Sequence, residues 1–400
     1  MRDVKFKLIL TLLIIANFVS GQPKQTVNST DVNLNKEVKE FRGVWVASFL
    51  NIDWPTKTGL SAEQQKKEFL TILDNVQKWN MNAIVLQVKP TSDAFYKSKL
   101  SPWSRYLSGK QGVDPGYDPL EFIITEAHKR NIEIHAWFNP FRLSAKNADL
   151  NVLSIDNIAF KHPNWVVRYA NQLYLNPGIP EVSTHVIECI MEVVKNYNID
   201  GVHLDDYFYP YKVGNLEYPD YKEYAKYGIT FASKADWRRN NINTFVKKLY
   251  KSIKSENKNI EFGISPFGVW RNQTNDPRGS DTKALQNYDD LYADVLYWMQ
   301  NGWIDYIAPQ LYWHRGNTSA DYSTLIEWWN NVAKLTHTKL YIGLAAYRVN
   351  EWKNPDELIE QVKLNKNYPE VKGNIFFSYK SLVTNPKGVL DNLISGPFSK

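Results

Sequence analysis

The sequence predicts a closed (β/α)8 TIM barrel of the α/β class, with long βα loops on its C-terminal face. Three observations carry that prediction. Strand-like and helix-like segments alternate eight times over about 350 residues. Most of the strand-like runs are almost continuously apolar, as strands buried on both faces of a parallel sheet are. The long connections, 89–117, 139–182, 207–232 and 267–284, all run from a strand end to the next helix. In a barrel that places them together on the face where such enzymes keep their chemistry. An open doubly wound sheet would also alternate, but the glycine fingerprint of a dinucleotide fold is missing from the first strand–helix turn.

Taken in order, residues 1–21 read as a secretory signal peptide. Arg2, Lys5 and Lys7 make a basic start, residues 8–19 are apolar and uncharged, and Ser20-Gly21 are small residues suited to cleavage. The apolar run is short for a spanning helix, and no cysteine follows it for lipid attachment, so no stable membrane anchor is expected after cleavage. Residues 22–39 are polar and aperiodic, a linker, and residues 40–395 form the single barrel domain. Its strands are expected at 42–47, 82–88, 133–138, 201–205, 261–266, 306–312, 339–345 and 374–379.

The helices between them carry their own punctuation. Ser61 with Gln64 makes a capping box ahead of Phe69, Ile72, Leu73 and Val76 at helical spacing. Asp118-Pro119 with Glu121 joins an N-cap, a first-turn proline and a box partner, and Asn354-Pro355 with Glu357 repeats the arrangement. Ile242, Phe245, Val246, Leu249 and Ile253 form one apolar stripe.

Composition narrows the chemistry. Removing residues 1–21 takes away three basic side chains and Asp3, so the net charge of +6 falls to +4. Basic residues are scattered, and nucleic acid is not suggested. The single cysteine, Cys189, sits in an apolar helical stretch and reads as a buried structural thiol. Aromatics are abundant, with 14 Trp, 24 Tyr and 18 Phe, which suits either a large core or stacking on the apolar faces of sugar rings.

The strand ends then locate a site. The fourth strand reads Gly201-Val202-His203-Leu204-Asp205-Asp206-Tyr207, so alternation puts His203 and Asp205 on the face that lines the barrel mouth. Two adjacent acids at the end of a buried strand are costly unless they are paired, hydrogen-bonded or used. Asp205 and Asp206 are therefore the candidate catalytic residues. Other strand ends supply candidate substrate contacts: Lys89 after the second, Trp137, Asn139 and Arg142 after the third, His203, Tyr207 and Tyr209 around the fourth, Trp270 and Arg271 after the fifth, Gln310, Tyr312 and Trp313 after the sixth, and Tyr347 after the seventh. Such a ring suits stacking and hydrogen bonding to hydroxyls and acetamides.

Strands five to eight end without a carboxylate. A glycosidase with two flanking acids needs them about 5–5.5 Å apart for retention or roughly 6.5–9.5 Å apart for inversion. Either a second acid arrives from a loop, with Asp53, Asp93, Glu217 and Asp276 as candidates, or the substrate's own N-acetyl group attacks, one aspartate orienting it while the other acts as acid. No cofactor and no metal are expected: there is no HExxH or cysteine cluster, and His203, Asp205 and Asp206 would not all face one ion.

Several separated segments resemble the glycoside-hydrolase-like 10 family. They are Phe41-Arg42-Gly43-Val44-Trp45-Val46 with Asn51-Ile52-Asp53-Trp54-Pro55, Pro102-Trp103-Ser104, Asp114-Pro115-Gly116-Tyr117-Asp118-Pro119-Leu120, His135-Ala136-Trp137-Phe138-Asn139-Pro140, the run from Gly201 through Asp205-Asp206 to Pro210, Ile264-Ser265-Pro266-Phe267-Gly268, and Pro309-Gln310-Leu311-Tyr312-Trp313. The resemblance implies a barrel fold, export to the bacterial envelope (secreted or periplasmic) and glycosidase activity. It also implies that the substrate class is peptidoglycan glycan strands, above all strands stripped of stem peptides. The alternatives are a glycosidase acting on an exopolysaccharide or another glycan, a non-catalytic glycan-binding barrel, and a metal-dependent hydrolase built on the fourth strand.

Overall fold

Eight parallel strands close on themselves in a computed structural model that describes residues 40–145 and 149–399. The signal peptide and linker expected at 1–39 lie outside the described residues. The strands are β1 (Phe41–Val46), β2 (Ala83–Lys89), β3 (Glu133–Phe138), β4 (Gly201–Leu204), β5 (Glu261–Ile264), β6 (Tyr306–Ile307), β7 (Lys339–Leu344) and β8 (Val371–Phe376). Each pairs with its neighbours in the chain, and β8 closes on β1 with Phe41 opposite Gly373 and Val44 opposite Phe376.

The principal helices after each strand are α1 (Ala62–Lys78), α2 (Pro119–His128), α3 (Pro180–Asn196), α4 (Lys234–Glu256), α5 (Val295–Gln300), α6 (Tyr322–Thr336), α7 (Glu357–Asn365) and α8 (Val389–Ser395). The Ser61–Gln64 box closes reciprocally, and the Asp118 side chain accepts from the Leu120 and Glu121 amides. All five residues of the 242–253 stripe are buried on α4. At α7 the expectation needs correction. Asp356, not Asn354, stands at the N-cap; the Asn354 side chain instead accepts from the Asp356 amide, two residues too early to cap the helix.

Two other differences have physical causes. β6 is two residues long; Pro309 has no amide to donate, and the chain runs on beside both neighbours through single hydrogen bonds of Ala308, Pro309 and Leu311 and bridges from Gln310 to Phe267 and Gly343. The connection at 139–182 holds an antiparallel hairpin, Val166–Tyr169 with Gln172–Leu175. Its turn residues Ala170 and Asn171 both have positive φ, as a two-residue hairpin turn of this hand requires, but Ala does not advertise that conformation in sequence.

The barrel interior alternates large and absent side chains. Tyr306 fills its centre, and the phenol oxygen lies 2.9 Å from Nδ1 of both His135 and His203. Burial, above all, holds the His203 imidazole well below its usual range, so it is neutral. Room for the Tyr306 ring comes from Gly263, where a Cβ would stand 2.0 Å from the ring. Gly263→Ala should therefore overpack the interior and cost about 1–3 kcal/mol in urea unfolding. Wild-type stability would show that the layer has slack.

Candidate active site

Above this packed layer, the C-terminal ends of the strands surround a cavity of about 450 Å³, within the range of small-ligand sites. Asp205 and Asp206 follow the last residue of β4, and both are buried in its wall. Three N–H donors hold Asp205: the Trp137 indole at 3.2 Å, the Asn139 amide, and the Tyr207 backbone at 3.2 Å. Asn139 is itself set by Gln87, whose amide donates to the Asn139 carbonyl and so turns the Asn139 NH₂ toward Asp205. The Gln87 carbonyl is fixed in turn by the amides of Ser48 and Phe49, at 3.0 and 2.8 Å.

Asp206 has a different pair of partners. The Tyr211 hydroxyl donates to one oxygen, and Gln310 Nε2 donates to the other from 3.2 Å while also reaching the Ser265 carbonyl. Burial, and then the charge of Asp206, pushes the Asp205 carboxyl up to about 7. Burial raises Asp206 as well, against the hydrogen bonds from Tyr211 and Gln310. Neighbouring acids like these titrate as a pair, so the raised affinity is for one shared proton. The hydrogen-bond partners decide where it rests. Among the described residues Asp205 is hydrogen-bonded by N–H donors alone, whereas the Tyr211 hydroxyl can turn and accept an O–H from Asp206.

Of the residues expected to bind substrate, Trp137, Arg142, Tyr207, Gln310, Tyr312, Trp313 and Tyr347 line the cavity with the two acids. Asn139 stands behind it and holds Asp205. Five others are placed elsewhere. His203 shares the inward face with Asp205, as alternation predicts, but one layer lower, where its ring nitrogens meet Tyr306 and Ser265. Lys89 follows a register shift between Gln87 and Lys89 and turns outward to Ser101 at 2.7 Å. Tyr209 is buried beneath the loop against Asn241. Trp270 stacks on Trp328 and donates to Asp294. Arg271 is engaged by Asp289 and Asp276.

The loop acids considered as second carboxylates are also engaged away from the cavity. Asp53 accepts from the Ala47 and Lys380 amides and the Ser378 hydroxyl. Asp93 meets Thr91 and Gln111, Glu217 meets Lys234 and Arg238, and Asp276 meets Arg271 and Arg278. Among the described residues, Asp205 and Asp206 are the carboxylates that line the cavity.

Sequence reasoning missed several lining residues. Trp45 was within reach, since it alternates with Phe41 and Gly43 on the inward face of β1. Tyr211, Phe49, Phe267 and Phe377 come from loops whose return path no periodicity reveals.

An eight-stranded parallel barrel with an aromatic cavity and two buried acids at its C-terminal mouth has the build of a glycoside hydrolase. A family model described as glycosyl hydrolase-like 10 matches residues 40–376. The chain belongs to that family and is a glycoside hydrolase. It is 52% identical over 398 residues to the glycosyl hydrolase YngK of Bacillus subtilis (strain 168), covering 98% of this chain and 77% of that protein. It is 38% identical over 400 residues to the glycosyl hydrolase DigH of Escherichia coli (strain K12), covering 92% and 91%. Among solved structures, the glycoside hydrolase domain of PgaB (BpsB) from Bordetella bronchiseptica shares the fold, with a TM-score of 0.58 at 12% identity over 89% of this chain and 98% of that one.

Proposed function

We propose that this glycosidase is exported to the bacterial envelope and cleaves amino-sugar glycans there, namely peptidoglycan strands from which stem peptides have been removed. One observation carries the mechanism: the acids lining the cavity are adjacent in the chain and held by unlike partners. Adjacent residues just past one strand end, both in the same stretch of cavity wall, approach a sugar from the same side, so they do not supply acid and nucleophile from opposite faces. The 2-acetamido group of the substrate supplies the nucleophile instead.

Asp205, fixed by N–H donors, accepts the acetamide N–H and turns its carbonyl oxygen toward C1. Asp206 gives its proton to the leaving oxygen as the C1–O bond breaks and the acetamide oxygen bonds to C1. Water then attacks C1 of the resulting oxazolinium ion, whose N–H stays hydrogen-bonded to Asp205; the C1–O bond to the acetamide breaks, the water's proton passes to Asp206, and the configuration is retained. The aromatic walls, Trp137 and Trp313 among them, stack on the sugar's apolar faces.

The test compares purified glycan strands before and after amidase stripping, and stripped strands before and after N-deacetylation. Fragments with retained configuration should appear from stripped, acetylated strands. Equal cleavage of the deacetylated strands would remove the acetamide mechanism, and cleavage confined to an unrelated exopolysaccharide would remove the substrate.

A further inference from the structure

Arg142 lies in the cavity wall with an unusual set of neighbours. Its guanidinium sits between the rings of Phe49 and Tyr207, 4.5 and 4.4 Å from their centroids, and both rings line the cavity. The residue is only 9% exposed, and among the described residues no carboxylate lies within ion-pair distance of it and no acceptor receives its N–H groups, although its charge acts on Asp205 and Asp206 from farther off. The other well-buried arginine is treated differently: Arg238 has both Asp220 oxygens, the Tyr218 carbonyl, the Tyr292 hydroxyl and Glu217. A guanidinium taken out of bulk water without acceptors is costly. Two aromatic faces compensate its faces, but its in-plane donors remain free, and those donors match a carboxylate bidentately.

We infer that Arg142 is the carboxylate-recognising residue of the substrate site, and that the group it receives is the lactyl carboxylate of N-acetylmuramic acid. This rests on the peptidoglycan reading above and adds a cause for its preference. In an intact strand that carbonyl carbon is tied up in the amide bond to the stem peptide. Removing the peptide exposes an anion, and Arg142, without an ion pair among the described residues, is the cation that meets it. The two acids nearby keep one proton between them, so the cavity is less hostile to a third carboxylate than two full charges would make it. A uronic acid polymer carries the same chemical group on a different carbon, and the experiment separates the two sources.

Cleavage is measured on amidase-stripped strands, on the same strands with their lactyl carboxylates converted to methylamides, and on a polyuronate, using wild type, Arg142→Gln and Arg142→Lys. Wild type should prefer the free carboxylate by about 10- to 100-fold in kcat/KM, the range a charge-assisted pair gives. In Arg142→Gln the rates on the two strand forms should come within about twofold of each other, whatever loss both forms share through the charge that Arg142 lends the two acids. Arg142→Lys should lie between, keeping the charge without the fork.

Equal loss on both strand forms would overturn the inference, since a merely structural or electrostatic role for Arg142 does not distinguish them. So would equal wild-type rates on the two forms, which leaves the peptidoglycan reading standing. Arg142-dependent cleavage of the polyuronate alone would overturn the muramyl assignment, and failure to cut either strand form would remove the parent reading itself.

Discussion

Asp206→Asn should lower kcat on glycan strands by about 10²–10⁴-fold, the contribution of a positioned general acid. The amide keeps the shape of the carboxyl and its contact with Gln310, so the fold has no reason to change. What is lost is the proton that the Tyr211 hydroxyl helps Asp206 to hold. An aryl glycoside whose phenolate leaves unprotonated needs no acid for its first step. Asp206→Asn should therefore recover much of its glycosylation rate on p-nitrophenyl N-acetylglucosaminide. Asp205→Asn should not, because orienting the acetamide is required whatever the leaving group. Full rescue of Asp205→Asn with none for Asp206→Asn would exchange the two roles, and wild-type turnover in both variants would remove them.

The same proton predicts a pH profile and a stability profile. The pair holds its proton up to about 7, so kcat/KM should fall as pH rises through that value, and the limb should vanish from the residual activity of Asp206→Asn. The folded pair keeps a proton that the unfolded carboxyls release in their ordinary range near 3.8, so the folded state becomes relatively less stable between there and about 7 and level above it. Neutralising one acid removes that penalty. At pH 8, Asp206→Asn should melt at or above the wild-type temperature while turning over far more slowly, which separates lost chemistry from lost structure.

The barrel was legible because its determinants are local and repeated. Buried parallel strands are apolar throughout, the Ser61 and Asp118 caps announce their helices, and the placement of long loops identifies the mouth. The acids on β4 were legible because alternation holds for as long as a strand lasts. That logic stops at the strand end. Tyr207 lines the cavity while Tyr209, two positions on, is buried against Asn241, since the loop no longer alternates. Trp270 and Arg271 are chemically suited to sugar but are consumed by Trp328 and Asp289, partners far enough along the chain that no spacing rule joins them, and by Asp276 five residues on in an irregular loop. Lys89 is lost to one register shift. Conversely, Tyr211 enters from a loop and reaches Asp206 through tertiary contacts alone.

Those contacts depend on a buried ion pair, and Asp220→Asn should cost about 3–5 kcal/mol in urea unfolding. Asp220 is fully buried, and its two oxygens take Nε and an Nη of Arg238 from α4 at 2.8 and 2.6 Å. The Arg238 side chain is 3% exposed and also packs over the rings of Tyr209, Tyr218 and Tyr292. Removing the charge from Asp220 leaves a guanidinium in a dry site with Glu217, which is mostly exposed, as its remaining carboxylate partner. The penalty is that of stranding a charge, not the worth of the pair. Replacing both partners, as in Asp220→Leu with Arg238→Met, should therefore recover most of the loss. The consequence for activity follows from the loop's route: between β4 and Asp220 it carries Tyr207 and Tyr211, the residues that touch Arg142 and Asp206. Well below its melting temperature, Asp220→Asn should still lose activity, because the shared proton loses the acceptor held over Asp206. A change in stability under 1 kcal/mol would mean that water reaches Arg238 and that the loop is anchored by its rings instead.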